Sequence, residues 1–142
     1  MEDMKKIVWS SEYETGVEDI DEQHQILVNT INEAGLKLRE DASIESLEAI
    51  TRDLLSYALY HFEEEEEMMQ EYDYRSHNPK EYEDHMKQHR DFSAKVVAIR
   101  ESIKEGNPIC KDELIDFLTN WLLNHINKTD KKLGAFICQK DR

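Results

Sequence analysis

Five of the six histidines in this 142-residue chain fall on apolar stripes that repeat at helical spacing. The first stripe is Ile20, His24, Leu27, Ile31 and Leu38. The second is Leu47, Ile50, Leu54, Tyr57, His61, Glu65 and Met68. The third is Tyr82, His85, His89, Phe92, Val96, Ile99 and Ile103, and the fourth Ile115, Leu118, Leu122, His125 and Phe136. Steps of three, four and seven residues put side chains on one helical face and exclude the period-two alternation of a strand. Only four glycines and two prolines interrupt the chain. The stripes are separated by a break at Asp41–Ser43, with Ser43 a ready N-cap, and by a second before Pro79, which suits a first helical position. Gly106–Asn107–Pro108 stops the third helix. The pattern predicts an all-α fold: an antiparallel up-down-up-down four-helix bundle in one domain spanning 1–142. An irregular N-terminal arm is expected over 1–18, with Trp9 and Tyr13 as anchors, and helices over about 19–40, 44–72, 79–105 and 111–138.

The histidines decide what such a bundle holds. Roughly 3/7 of helix positions face a core, so five of five inward by chance has a probability on the order of 1–2%. A single buried imidazole is easily satisfied by a carbonyl. Five on four converging faces are not, because each buried ring nitrogen needs its own partner. Counted from the shared loops at about 1.5 Å per residue, the levels of His24, His61, His85, His89 and His125 agree within a few ångström. All five imidazoles can reach one point inside the bundle. His77 lies in the break before Pro79, off the stripes.

Carboxylates complete the cluster. His61 and Glu65 are i and i+4, on one face, although Glu64 at i+3 also has access to it. The run Glu63–Glu67 otherwise reads as a solvated face. His85 and His89, again i and i+4, have the spacing at which two imidazoles bind one metal ion. Asp130 follows His125 by five, about 140° around an ideal helix. Spacing alone therefore leaves it open between the site and a solvated position beside Lys128, Lys131 and Lys132. Asp21 suits either a partner for His24 or a cap for its helix.

Composition narrows the rest. A net charge of −14 repels phosphate, which argues against nucleic acid and anionic membranes as partners. No apolar run approaches the ~18 residues of a spanning helix, and Met1 to Lys6 has no apolar signal region. Cys110 and Cys138 would lie about 40 Å apart on one helix, too far for a disulfide. Free thiols and a cytoplasmic location are the expectation.

Four segments, in order on the four helices, now carry a resemblance. They are Gly16-Val17-Glu18-Asp19-Ile20-Asp21-Glu22-Gln23-His24; His61-Phe62-x-x-Glu65-Glu66; His85-x-x-x-His89-x-x-Phe92; and Trp121-Leu122-x-x-His125-Ile126-x-x-x-Asp130. Together they resemble the hemerythrin family, in particular the single-domain bacterial hemerythrins, the bacteriohemerythrins. The resemblance implies two iron ions per chain with an oxo or hydroxo bridge. His85, His89 and His125 would hold one iron and His24 and His61 the other, with Glu65 and Asp130 bridging. O2 would bind reversibly at the open position of the two-His iron, for storage or transport, with azide or NO as alternative ligands. Leu27, Phe62, Trp121, Leu122 and Ile126 match the family's apolar ligand pocket. No catalytic residue is implied. The alternatives are a diiron sensor of O2, NO or redox state, and a diiron peroxidase or iron-oxidising enzyme. The ferritin-like oxygen-activating class carries Glu-x-x-His pairs; here no Glu precedes a His by three, and only Asp21 does so, before His24.

Overall fold

The computed structural model describes residues 7–107 and 109–140. Met1 to Lys6 and Pro108, which enter the expectations above, lie outside the described residues. Among those residues the chain is helical and has no strand. The long helices are α1 (Glu18–Glu40), α2 (Ile44–Glu71) and α4 (Pro79–Lys104). A four-residue helix, α3 (Tyr74–His77), stands in the break before Pro79. The fourth stripe folds as α5 (Lys111–Asn124), a π-turn over His125–Asp130, and α6 (Lys131–Lys140). α2 packs between α1 and α4, and α5 closes on α1. The architecture is the four-helix bundle that the stripes imply.

The boundaries follow local chemistry. Ser43 caps α2, its hydroxyl accepting from the Ser46 N–H at 3.2 Å. Pro79 occupies the first turn of α4. Asp73 sits in the left-handed region (φ 59°, ψ 40°) and turns the chain from α2 into α3, which buries Tyr74. The sequence pattern registers that segment only as a break.

The inward face of α2 is rotated from the expected stripe. Leu47, Thr51, Leu54, Ala58, His61, Phe62, Glu65 and Met69 are buried, whereas Ile50, Tyr57 and Met68 flank the face. Thr51 and Ala58 are short, and their position at the seam lets neighbouring helices approach while the longer side chains cover the edges. In α6 the buried residues are Leu133, Gly134 and Ile137, and Phe136 is only half-buried.

The arm is pinned at three places. Ile7 exchanges two hydrogen bonds with the Asn32 amide, at 2.9 and 2.8 Å. Trp9 and Tyr13, rings 5.5 Å apart, rest on the main core. Asp21 accepts from the Thr15 N–H, the Thr15 hydroxyl and the Gly16 N–H, so it ties the arm to α1 and does not orient His24. Opposite, a Cβ on Gly134 would stand 2.5 Å from the Thr15 carbonyl oxygen. The arm and α6 close only over a glycine.

Candidate metal centre

His24 comes from α1, His61 and Glu65 from α2, His85 and His89 from α4, and His125 and Asp130 from the π-turn. All seven are buried, and Glu65 and Asp130 expose nothing. Glu64 is only half-buried, which separates it from Glu65.

Asp130 reaches the cluster because the helix changes pitch. In an α-helix, a residue five beyond His125 points about 140° away. The i→i+5 ring of a π-turn carries it back towards the same face. His125 Nε2 and Asp130 Oδ1 are 3.0 Å apart.

Each carboxylate faces two ways. Glu65 Oε1 lies 3.3 Å from His85 Nε2, 3.1 Å from His89 Nε2 and 3.8 Å from His125 Nε2. Its Oε2 lies 3.8 Å from His24 Nε2 and 3.5 Å from His61 Nε2. Asp130 repeats the division: Oδ1 is 3.1 Å from His85 and 3.0 Å from His125, and Oδ2 is 2.7 Å from His24. Two groups of ligand atoms result, each within 4.8 Å: Glu65 with His85, His89 and His125, and Glu65 and Asp130 with His24 and His61.

His85 and His89 Nε2 are in hydrogen-bond contact with Glu65 Oε1, but the other atoms approach without forming an ordinary polar network. His24 Nε2, His61 Nε2, His125 Nε2, Glu65 Oε2 and both Asp130 oxygens make no hydrogen bond despite their burial. Buried polar atoms without partners are costly. Atoms that aim at shared points rather than at one another suit metal coordination.

Three of the five outer nitrogens, those of His61, His89 and His125, are held by residues that sequence reasoning did not assign, while His24 Nδ1 and His85 Nδ1 make no hydrogen bond. Gln23 Oε1 accepts from His61 Nδ1 at 2.6 Å, Glu66 Oε2 from His89 Nδ1 at 2.9 Å, and Gln88 Oε1 from His125 Nδ1 at 2.7 Å. An acceptor on Nδ1 fixes the proton there and leaves the Nε2 lone pair facing inward, the tautomer that ligates metal. The signal was present: each is a polar residue next to an inward ligand, at 23 before 24, 66 after 65 and 88 before 89.

The electrostatics point to stored positive charge. Burial opposes ionisation of Glu65 and Asp130, yet the surrounding imidazoles hold both well below the usual carboxylate range. Burial pulls His85 down, but its contacts with Asp130 and Glu65 carry it up to about 10. His125 is raised for the same reasons. His61 falls to about 4, because burial there outweighs the pull of Glu65. A cluster with two ionised carboxylates binds protons or metal cations in the same place.

Phe62 stacks on His89 (4.0 Å, 11°) and Trp121 on His125 (4.5 Å, 14°). A cavity of about 10 Å³ lies beside them, lined by Leu27, Phe62, Trp121 and Leu122 together with His61 and His125. Ile126 is buried in the main core and does not line it. Ile31, Leu54, Ala58, Phe92 and Leu118 complete the wall.

The hemerythrin HHE cation binding domain matches residues 15–137. The chain belongs to the hemerythrin family. This hemerythrin is 32% identical over 129 residues to a bacteriohemerythrin of Pseudomonas aeruginosa, covering 89% of this chain and 78% of that one. It is 27% identical to the bacteriohemerythrin of Clostridium acetobutylicum (88% and 96% covered) and 28% identical to the myohemerythrin of Theromyzon tessulatum (87% and 88%). Its fold superposes on a crystal structure of wild-type hemerythrin with a TM-score of 0.78 at 23% identity, covering 91% of this chain and 95% of that one.

Proposed function

We propose that this hemerythrin binds O2 reversibly at a non-haem diiron centre and serves O2 storage or delivery. His85, His89 and His125 would hold one iron, His24 and His61 the other, and Glu65 and Asp130 would bridge them, with an oxo or hydroxo group as a third bridge. The observation that carries this reading is the division of both carboxylates. Each turns one oxygen to the three-histidine group and the other towards the two-histidine group. Such a set exceeds what a single tetrahedral zinc takes. When bound, the two ferrous ions supply the O2 affinity and the two electrons that reversible uptake requires.

The protein's own residues supply the rest. Gln23, Glu66 and Gln88 fix three imidazoles with their Nε2 atoms inward. Phe62 and Trp121 pack against His89 and His125 and limit rotation. Leu27 and Leu122 keep the small cavity apolar, so water gains few hydrogen bonds there. A site of about this size holds one small molecule. The five imidazoles outnumber the carboxylates, which favours reversible binding over the oxidative chemistry of carboxylate-rich diiron sites. The two cysteines are free thiols, consistent with a cytoplasmic setting. Among the described residues no helix is long and apolar enough to cross a membrane.

The test is stopped-flow absorbance of the anaerobically reduced, iron-loaded protein mixed with O2, followed by deoxygenation. The expected result is a visible band that forms on mixing and disappears when O2 is removed, with two irons per chain by elemental analysis. Azide should shift the visible spectrum of the oxidised form. Sustained turnover of peroxide or Fe(II) would replace the carrier reading with an enzymatic one. One zinc per chain after iron-supplemented expression would overturn the diiron assignment.

A further inference from the structure

Thr129 differs from three helical hydroxyls elsewhere among the described residues. Thr30, Thr51 and Ser93 each donate to the carbonyl four residues back, at 2.8, 2.8 and 3.0 Å. Thr129, inside the π-turn, donates to Gln88 Oε1 on α4, at 2.7 Å. The same oxygen accepts from His125 Nδ1, also at 2.7 Å. His125 and Thr129 are thus joined through one atom of a neighbouring helix, and the residue after Thr129 is Asp130.

We infer that Gln88 is a positioning residue that clasps the π-turn and so carries Asp130 into the metal centre. A π-turn is an uncommon insertion in a helix, because the α-helical register competes with it at every residue. Reversion to that register would swing Asp130 about 140° away from His125. Gln88 ties the turn to α4 by offering one acceptor to His125 and Thr129, and so fixes the direction in which the segment that ends at Asp130 faces. Gln23 and Glu66 each hold a single imidazole; Gln88 also holds the backbone segment that presents the second carboxylate. Gln88 borders a solvent-open cavity of about 370 Å³. Water there can satisfy both donors without Gln88, but it does not fix them at one point. The metal half of this inference rests on the proposed diiron reading; the register half does not.

The test uses the full chain in metal-free and iron-loaded forms, with Gln88→Leu, Gln88→Glu, Thr129→Val and Glu66→Ala. In the metal-free protein, hydrogen–deuterium exchange at residues 125–131 should speed up in Gln88→Leu and, less, in Thr129→Val. It should stay unchanged in Glu66→Ala, which frees an imidazole but not the turn. In the loaded protein, Gln88→Leu should weaken iron binding by about 10–100-fold, the usual range for lost outer partners. Gln88→Glu, which keeps an acceptor at that position, should restore both readouts to near wild type. Wild-type exchange at 125–131 in Gln88→Leu, or an equal increase in Glu66→Ala, would overturn the clasp. Should Gln88→Leu not fold, wild-type exchange in Thr129→Val overturns it instead. Because exchange is read without metal, a failure of the diiron reading leaves this result standing or falling by itself.

Discussion

On one side of His125 the chain leaves about 10 Å³ among aliphatic and aromatic side chains; on the other it leaves about 370 Å³, open to solvent, among charged ones. Leu27, Leu54, Phe62 and Leu122 wall the first. Glu81 and Asp84 of α4 face Lys128 of the π-turn and Lys132 of α6 across the second. His125 and Trp121 belong to both. The dry wall is made by long, regular helices at constant pitch. The wet wall is made where regularity fails, at the π-turn and the short α3. One side keeps water from the candidate ligand position. The other brings solvent to Gln88 and Thr129, one hydrogen bond short of an imidazole.

The largest expected effect lies at Asp130, which is fully buried and lines neither cavity. Asp130→Ala should lose at least one of the two irons, while helicity by circular dichroism persists. His77→Ala should retain both, because His77 is exposed and paired with the Asp73 carbonyl and Lys140, away from the cluster. If Asp130→Ala keeps both irons and binds O2 normally, Asp130 is a buried counter-charge and not a bridge.

Next in size is a pH effect, which separates the site's charge from its shape. His85 is carried up to about 10 and so holds its extra proton at neutral pH in the metal-free protein, and the same carboxylates favour the protonated form of His125. Metal must displace those protons. Apparent affinity for Fe(II) should therefore fall as pH is lowered from 9 to 6, on the order of tenfold per unit for each proton displaced. Anaerobic titrations at several pH values check it. An affinity flat across that interval would mean that the imidazoles are already deprotonated before metal enters.

The same contrast explains what was legible in the sequence. Helical stripes report a constant pitch, so the bundle and the five inward imidazoles could be read directly, whereas the pocket residues Leu27, Phe62, Trp121 and Leu122 entered as a set only through the resemblance to the hemerythrins. Asp130 could not be placed by spacing, because its position depends on a π-turn that hydrophobic periodicity does not encode. Only the resemblance to the hemerythrins singled it out. The same change of pitch accompanies Leu133 and Ile137, rather than Phe136, on the inner face of α6. Ile50 and Tyr57 were misplaced for another reason. Their bulk suggested the core, whereas close helix packing put Thr51 and Ala58 there. Gln88 and Gln23 were passed over because an amide gives no periodic signal; adjacency to an inward ligand was the one cue, and the geometry of His125 and His61 shows their use.

A substitution on the dry side should then matter more than one on the wet side. Leu122→Ser opens the apolar wall without touching a metal ligand. Iron content should hold, and the oxygenated form should decay roughly tenfold faster or more if entering water lowers the barrier by about 1.4 kcal/mol. Decay of the visible band in mutant and wild type, at matched pH and salt, measures it. Equal rates would make Leu122 an ordinary core residue.

The smallest effect is expected from Asn124→Ala. Asn124 is exposed and lines the wet cavity at the entrance to the π-turn. Its side chain already faces solvent, and alanine suits a helix end at least as well by intrinsic propensity. Removing the amide enlarges a cavity that water occupies freely. Between that water and the inner Nε2 of His125 stand the ring itself, its Nδ1–H bond to Gln88 and the stacked indole of Trp121. None of these changes in the variant. Decay of the oxygenated form should stay within about twofold of wild type, a difference of ~0.4 kcal/mol or less in the barrier. A tenfold acceleration, matching Leu122→Ser, would show that water reaches the ligand position past Gln88. The two cavities would then be one path, and protection of bound O2 would reside in the polar side as much as in the apolar one.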